Sequence, residues 1–199
     1  MNDTKNKWKL WIDTGGTFTD CLAFNPQGKL KRIKVLSSSA LRGKILEVIG
    51  ERQLRVSTQW PVDQDIFKGY QFRLPGQSHE KLLVNRHDPS SKTLELSQIP
   101  TGIDLEEQDF EIYAGEEAPI LAARIATQTP LSAPLPPLEM RLGSTRGTNA
   151  LLERKGAKTT LLVTQGFKDL LKIDTQQRPD IFALNIQRPA PIYSEVIEV

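Results

Sequence analysis

Apolar and polar positions alternate with a period of two through three short runs near the start of the chain. They are KWKLWID, TDCLAFN and KLKRIKVL, separated by the turn signals DTGGT and NPQGK. That pattern predicts three antiparallel strands in a meander over residues 7–35. The next stretch, SSSALRGKILEVIGER, offers serines as an N-cap and sets Leu41, Ile45, Leu46 and Ile49 at helical spacing, which predicts a helix. From residue 56 to 113 the rhythm breaks into short alternating pieces (YQFRL, KLLVNR, KTLELS, DFEIYA) between Pro, Gly, Ser and Asn clusters, the signature of a small all-β insertion. GEEAPILAARIATQ returns to helical periodicity with acidic residues at its start. A proline-rich linker, TPLSAPLPPLE, leads into the last third. There EMRLGST reads as a strand and RGTNALLERKGA as a helix closed by Gly156, with Arg154 and Lys155 in its last turn. KTTLLVTQ reads as a buried strand and GFKDLLKID as a short helix.

Three meander strands, a helix, then alternating strand and helix give an α/β fold in the order of the ribonuclease-H-like half-domain of actin-like ATPases. The expected division is a nucleotide-binding half-domain over 1–55 and 114–199, with a β-rich insertion subdomain over 56–113. The chain closes on RPAPIYSEVIEV, an alternating apolar stretch that reads like a strand entering further structure. A piece of a longer protein is expected.

Composition narrows the partners. Of 199 residues, 38% are hydrophobic and 25% charged, as in soluble globular proteins. A net charge of +2 without a basic, aromatic-interleaved cluster argues against nucleic acid. A single cysteine, Cys21, excludes an internal disulfide framework and reads as a small core residue. No signal-peptide segment or membrane-length apolar run is present, so a cytoplasmic protein without membrane contact is expected. His79 and His87 fall in the insertion without companions for a metal set and are expected at the surface.

Candidate chemistry centres on LWIDTGGTFTDCLAF. Gly15 and Gly16 would let backbone amides approach an anion without a Cβ in the way, and Thr17 and Thr19 add hydroxyls. Asp13, at the end of the first strand, suits Mg²⁺, which prefers carboxylates together with phosphate oxygens. Asp20 could hold the turn or share that metal. An ordinary glycine hairpin is the competing reading. Thr145, Gly147, Thr148 and Asn149 stand at a strand-to-helix junction, where free N–H groups favour an anion and where helix capping would select the same residues.

DTGGTFTD, STRGTNALLERKGAKTTLLVTQGFKDLL and QRPDIF occur together and in this order. The set resembles the N-terminal region of the hydantoinase/oxoprolinase family, in which the first block is the phosphate loop and the second a further hallmark. The intervening sequence (WPVDQDIFKGYQFRLPG, FEIYAGEEAPILAARIAT) is similar to the single-chain 5-oxoprolinase branch. Where many relatives carry His-Gly-Thr-Thr, this chain has Ser144, Thr145, Arg146, Gly147 and Thr148, which weakens a histidine-based role.

The resemblance implies ATP-dependent opening of a cyclic amide, 5-oxoproline to glutamate, with ATP and Mg²⁺ as cofactors. It assigns Asp13 to Mg²⁺, and Gly15, Gly16, Thr17, Thr19, Thr145, Gly147, Thr148 and Asn149 to phosphate. Arg178 would pin a substrate carboxylate bidentately. Implied partners are a small cyclic amide, the rest of the parent chain and a second copy; the piece alone is expected to be inactive. Open alternatives are a hydantoinase A, N-methylhydantoinase or acetone carboxylase ATPase region, and a non-catalytic nucleotide-binding module. A ribonuclease-H-type hydrolase using Asp13 and Asp20 would want a further carboxylate cluster, which the sequence lacks.

Overall fold

The computed structural model describes residues 6–76, 82–175, 182 and 190–199. They form a mixed α/β chain in two compact units, 1–146 and 147–199.

The first unit opens with the expected meander. Strands β1 (Trp8–Thr14), β2 (Phe18–Phe24) and β3 (Leu30–Leu36) pair antiparallel in sequence order. In β1 the positions Leu10, Ile12 and Thr14 are buried while Trp11 and Asp13 are exposed, so the alternation read from the sequence separates two faces. Asn25 holds the β2–β3 turn, its side-chain oxygen accepting the N–H groups of Gln27 and Lys29.

The next segment departs from expectation. No helix forms over 37–52; β4 (Leu41–Val48) and β5 (Gln53–Ser57) run there as an antiparallel pair. The physical reason is that Leu41 and Ile45, both buried, lie four residues apart, a spacing that satisfies periods of 3.6 and of two alike. Gly43 resolves the ambiguity in favour of a strand packed against an aromatic. A Cβ on Gly43 would stand 2.5 Å from the Phe110 ring and 2.9 Å from Thr58 Cγ2.

Strands β6 (Gln71–Arg73), β7 (Leu82–Asp88), β8 (Thr93–Leu96) and β9 (Asp109–Tyr113) match the four alternating pieces of the sequence. With β4 and β5 they close a barrel in the order β4-β5-β8-β7-β6-β9. The barrel therefore opens at Leu41, upstream of the stretch expected to begin at 56. Closure removes the exposed strand edges that a short insertion would otherwise present. Phe67, Tyr70, Phe72 and Phe110 fill it, with Phe72 and Phe110 stacked at 5.2 Å. His87 is buried here against Trp60 and Phe67, at ring distances of 5.3 and 5.2 Å, and is not a surface residue. Burial pulls its pKa below the ordinary imidazole value, against the pull of Asp65 and Asp88. His79 lies outside the described residues.

Helix α1 (Ala118–Thr127) packs on β1, β2 and β3. Its first turn holds no acid; Glu117 is the N-cap and Glu116 precedes it. Glu116 instead receives Arg124 Nε and Nη2 at 2.6 and 2.7 Å, and Arg124 Nη1 donates to the carbonyls of Pro130 and Ala133. That single side chain ties the helix entry to the linker that follows it. Strand β10 (Leu138–Ser144) then joins parallel to β1, giving the sheet order β10-β1-β2-β3.

Helix α2 (Arg146–Glu153) starts at the last residue of the first unit and belongs otherwise to the second, in which β11 (Thr160–Val163) pairs parallel with β12 (Glu195–Glu198), with the short α3 (Leu170–Ile173) between them in sequence. Arg154, at φ 52°, takes the left-handed turn after α2 that the sequence assigns to Gly156. β11 is half-exposed, and not a buried strand. Among the described residues, no helix is long and apolar enough to cross a membrane.

Candidate nucleotide-phosphate site

Parallel β1 and β10 end side by side, and the residues with chemistry gather at that end. In register, Asp13 stands opposite Gly143 on one side and opposite Asp20 on the other. A Cβ on Gly143 would come 3.5 Å from Asp13 Oδ1, so the glycine keeps the flank of that carboxylate open. Asp13, Asp20 and Trp11 share the face of the sheet opposite the buried Leu10 and Ile12. A cavity of about 440 Å³ lies there, also lined by Arg141 and Leu22. Asp20 makes a long ionic contact with Lys34, 3.7 Å, both side chains more than half exposed.

The turn itself is tight. Gly15 N–H donates to Phe18 O at 2.9 Å, and a Cβ on Gly15 would meet that oxygen at 3.1 Å. Gly16 and Thr17 are exposed at its tip. Behind it, Ser37 acts as a brace. Its Oγ donates to Gly15 O at 2.8 Å, its N–H donates to Thr17 O at 2.9 Å, and its Oγ lies 3.1 Å from Thr19 Oγ1. Thr19 is fully buried, on the opposite face of its strand from Asp20, so its hydroxyl supports the turn from behind and does not reach the tip.

Thr145 joins the same strand ends, its N–H donating to Thr14 O at 3.1 Å. Gly147, Thr148 and Asn149 belong to the opening turns of α2 in the second unit. Arg178 lies outside the described residues. Cys21, buried in the sheet, has its thiol pushed up to about 11 by burial, which keeps it protonated and unreactive. The sequence pattern did not single out Ser37 and Gly143. The serines had been absorbed into the cap of a helix that does not form, and Gly143 gains meaning only through its register with Asp13.

As a metal site, the donor set is two carboxylates with oxygen ligands only, on an open surface. Such a set fits Mg²⁺, which retains several waters and takes one or two carboxylates. Among the described residues no group of three or more His, Cys, Asp or Glu side chains could hold a metal. The set does not suit zinc.

The profile of the hydantoinase/oxoprolinase N-terminal region matches residues 9–66 and 116–199, most of the chain. The chain belongs to this family. Its glycine turn, its parallel strand pair and α1 all fall within the matched segments, whereas β6 to β9 of the barrel fall in the unmatched 67–115. The chain is 60% identical over 60 residues to 5-oxoprolinase 1 of Arabidopsis thaliana, covering 30% of this chain and 5% of that protein. It is 57% identical over 60 residues to the 5-oxoprolinase of Dictyostelium discoideum, with the same coverage. The 5-oxoprolinase of Saccharomyces cerevisiae aligns over 195 residues at 29% identity, 98% of this chain and 10% of that protein. That family member therefore aligns through the barrel strands as well. The chain thus spans a small fraction of the length of these relatives. No solved structure matches it.

Proposed function

We propose that this chain is the N-terminal nucleotide-binding region of an ATP-dependent 5-oxoprolinase, built on a ribonuclease-H-like half-domain of the actin-like ATPase type. The observation that carries the reading is Asp13. It stands at the carboxyl end of β1, flanked by Gly143 and Asp20 and followed directly by the Gly15–Gly16 turn, in a family whose matched members include 5-oxoprolinases. Ligands of open parallel α/β sheets sit beyond the carboxyl ends of the strands, which is where this group lies.

In this reading Asp13, with Asp20 beside it, holds Mg²⁺ through its water shell. Gly16 and Thr17, exposed at the tip, present backbone and hydroxyl donors to the phosphates, Gly15 shapes the turn that holds them there, and Thr145 adjoins that surface at the end of β10. MgATP, when bound, would supply the phosphoryl group that activates the lactam carbon toward water. Addition of one water with cleavage of the ring C–N bond, the nitrogen leaving as the amine, and hydrolysis of the phosphoryl group by a second water would balance to glutamate, ADP and phosphate. The chain's own contribution is placement and charge neutralisation, on which phosphoryl transfer depends. Since the relatives are much longer, these residues supply one part of the reaction and do not turn over by themselves.

The test is steady-state ATP hydrolysis by the full gene product that carries this chain, with 5-oxoproline or hydantoin added. Stimulation by 5-oxoproline well above that by hydantoin supports the reading. Stimulation by hydantoin alone, or by neither, refutes it.

A further inference from the structure

The hydroxyl of Ser37, just past the end of β3, reaches the glycine turn and donates to Gly15 O at 2.8 Å. A serine hydroxyl carries a single proton. With that proton committed to Gly15 O, the 3.1 Å contact between Ser37 Oγ and Thr19 Oγ1 has Thr19 as its donor. Thr19 is fully buried, so the relay from Thr19 through Ser37 to Gly15 O starts from an anchored hydroxyl.

The consequence falls on the peptide between Gly15 and Gly16. A trans peptide is planar, with its carbonyl and its N–H on opposite sides. Thr19 and Ser37 stand behind the turn, whereas Asp13 and Asp20 occupy the other, exposed face of β1 and β2. Drawing Gly15 O back toward Ser37 therefore turns the Gly16 N–H toward the face that carries the two carboxylates. Gly16 is exposed at that point. With glycine on both sides, no Cβ resists rotation of this peptide plane. A rotated plane would present the Gly15 carbonyl in place of the N–H, and a carbonyl oxygen repels a phosphate oxygen. Two glycines alone leave the turn undecided between donor and acceptor. The brace decides it.

We infer that Ser37 is a positioning residue of the nucleotide site; the inference rests on the function proposed above. Its hydroxyl, oriented by Thr19, presets the Gly15–Gly16 peptide with the N–H toward the phosphates. Ser37 touches no reacting atom and acts through Gly16. A donor fixed before the ligand arrives needs no reorganisation when charge develops on it.

Calorimetric titration of MgADP into the full gene product tests this, with steady-state ATP hydrolysis measured beside it. Ser37→Ala removes the hydroxyl and keeps the backbone bond from position 37 to Thr17 O, so the strand pairing stays. Loss of a preorganised donor costs about 10²–10³ in turnover when the donor itself is removed. Acting through its neighbour, Ser37→Ala should weaken MgADP and raise the KM for MgATP by about tenfold. The KM for 5-oxoproline and the unfolding midpoint stay near their unsubstituted values. Thr19→Val gives a smaller loss in the same direction, and Ser37→Thr, which keeps the hydroxyl, restores nucleotide affinity. MgADP affinity within twofold of the unsubstituted protein in Ser37→Ala would overturn the inference and leave the proposed function standing. So would a lowered midpoint with both KM values raised together, the mark of a merely structural role. If the unsubstituted protein binds MgADP but shows no hydrolysis stimulated by 5-oxoproline, the proposed function fails and the titrations still decide Ser37. No binding of MgADP overturns both.

Discussion

Arg124→Met should be among the most destabilising single substitutions in the first unit. Arg124 is 8% exposed and serves three groups: the Glu116 carboxylate, bound through two nitrogens, and the carbonyls of Pro130 and Ala133. Methionine keeps the volume and apolar stem but leaves Glu116 with an uncompensated charge in a mostly buried place. Removing one partner of a buried ion pair costs about 3–5 kcal/mol. Urea slopes for domains of this class are about 1–3 kcal/mol per molar, so with a slope near 2 the midpoint falls by roughly 1.5–2.5 M. Glu116→Gln in the Arg124→Met background should recover part of the loss, because the stranded carboxylate is then gone. Urea titration followed by far-UV circular dichroism reads both effects. A loss below about 1 kcal/mol for Arg124→Met, in the range of exposed pairs, would show that the clamp is solvated and that the argument from burial fails.

Gly43→Ala should destabilise by about 1–3 kcal/mol, since its Cβ would press into the buried Phe110 ring; an unchanged melting temperature would refute the close packing there. His87 is held neutral by burial, with its pKa lowered in the fold, so stability is fully present above the unfolded value of about 6.5. It is lost as the pH falls below that, because only the unfolded chain then takes up the proton. Denaturant midpoints measured between pH 7 and 5 should fall more in the unsubstituted protein than in His87→Gln, and parallel curves would contradict the buried assignment.

Much of the fold was legible because long alternating runs leave one face no choice. The meander, the four later barrel strands, α1 and β10 all follow from period-two or period-3.6 patterns that no tertiary contact overrides. The segment 37–52 failed for a definite reason. Leu41 and Ile45 fit either period, and the packing of Gly43 against Phe110 joins residues far apart in sequence. His87 failed similarly, since burial in a closed barrel depends on closure and cannot be read from a histidine among turns. The glycine turn and Asp13 were visible as a motif. The register that sets Asp13 between Gly143 and Asp20 and the role of Ser37 as a brace both arise from strand pairing. Neither leaves a local signal.

The most direct test of the central claim is Asp13→Asn in the full gene product, assayed for the proposed 5-oxoproline-stimulated ATP hydrolysis across Mg²⁺ concentration. The substitution keeps size and removes the charge that would hold the metal, and Asp13 is exposed on the open face of β1 with no buried partner to lose. Loss of one preorganised electrostatic contact to a reacting group costs about 10²–10³ in turnover. The account predicts a fall of that size in kcat, with half-saturation shifted to higher Mg²⁺ and an unchanged unfolding midpoint. Turnover and Mg²⁺ dependence within twofold of the unsubstituted protein would contradict it.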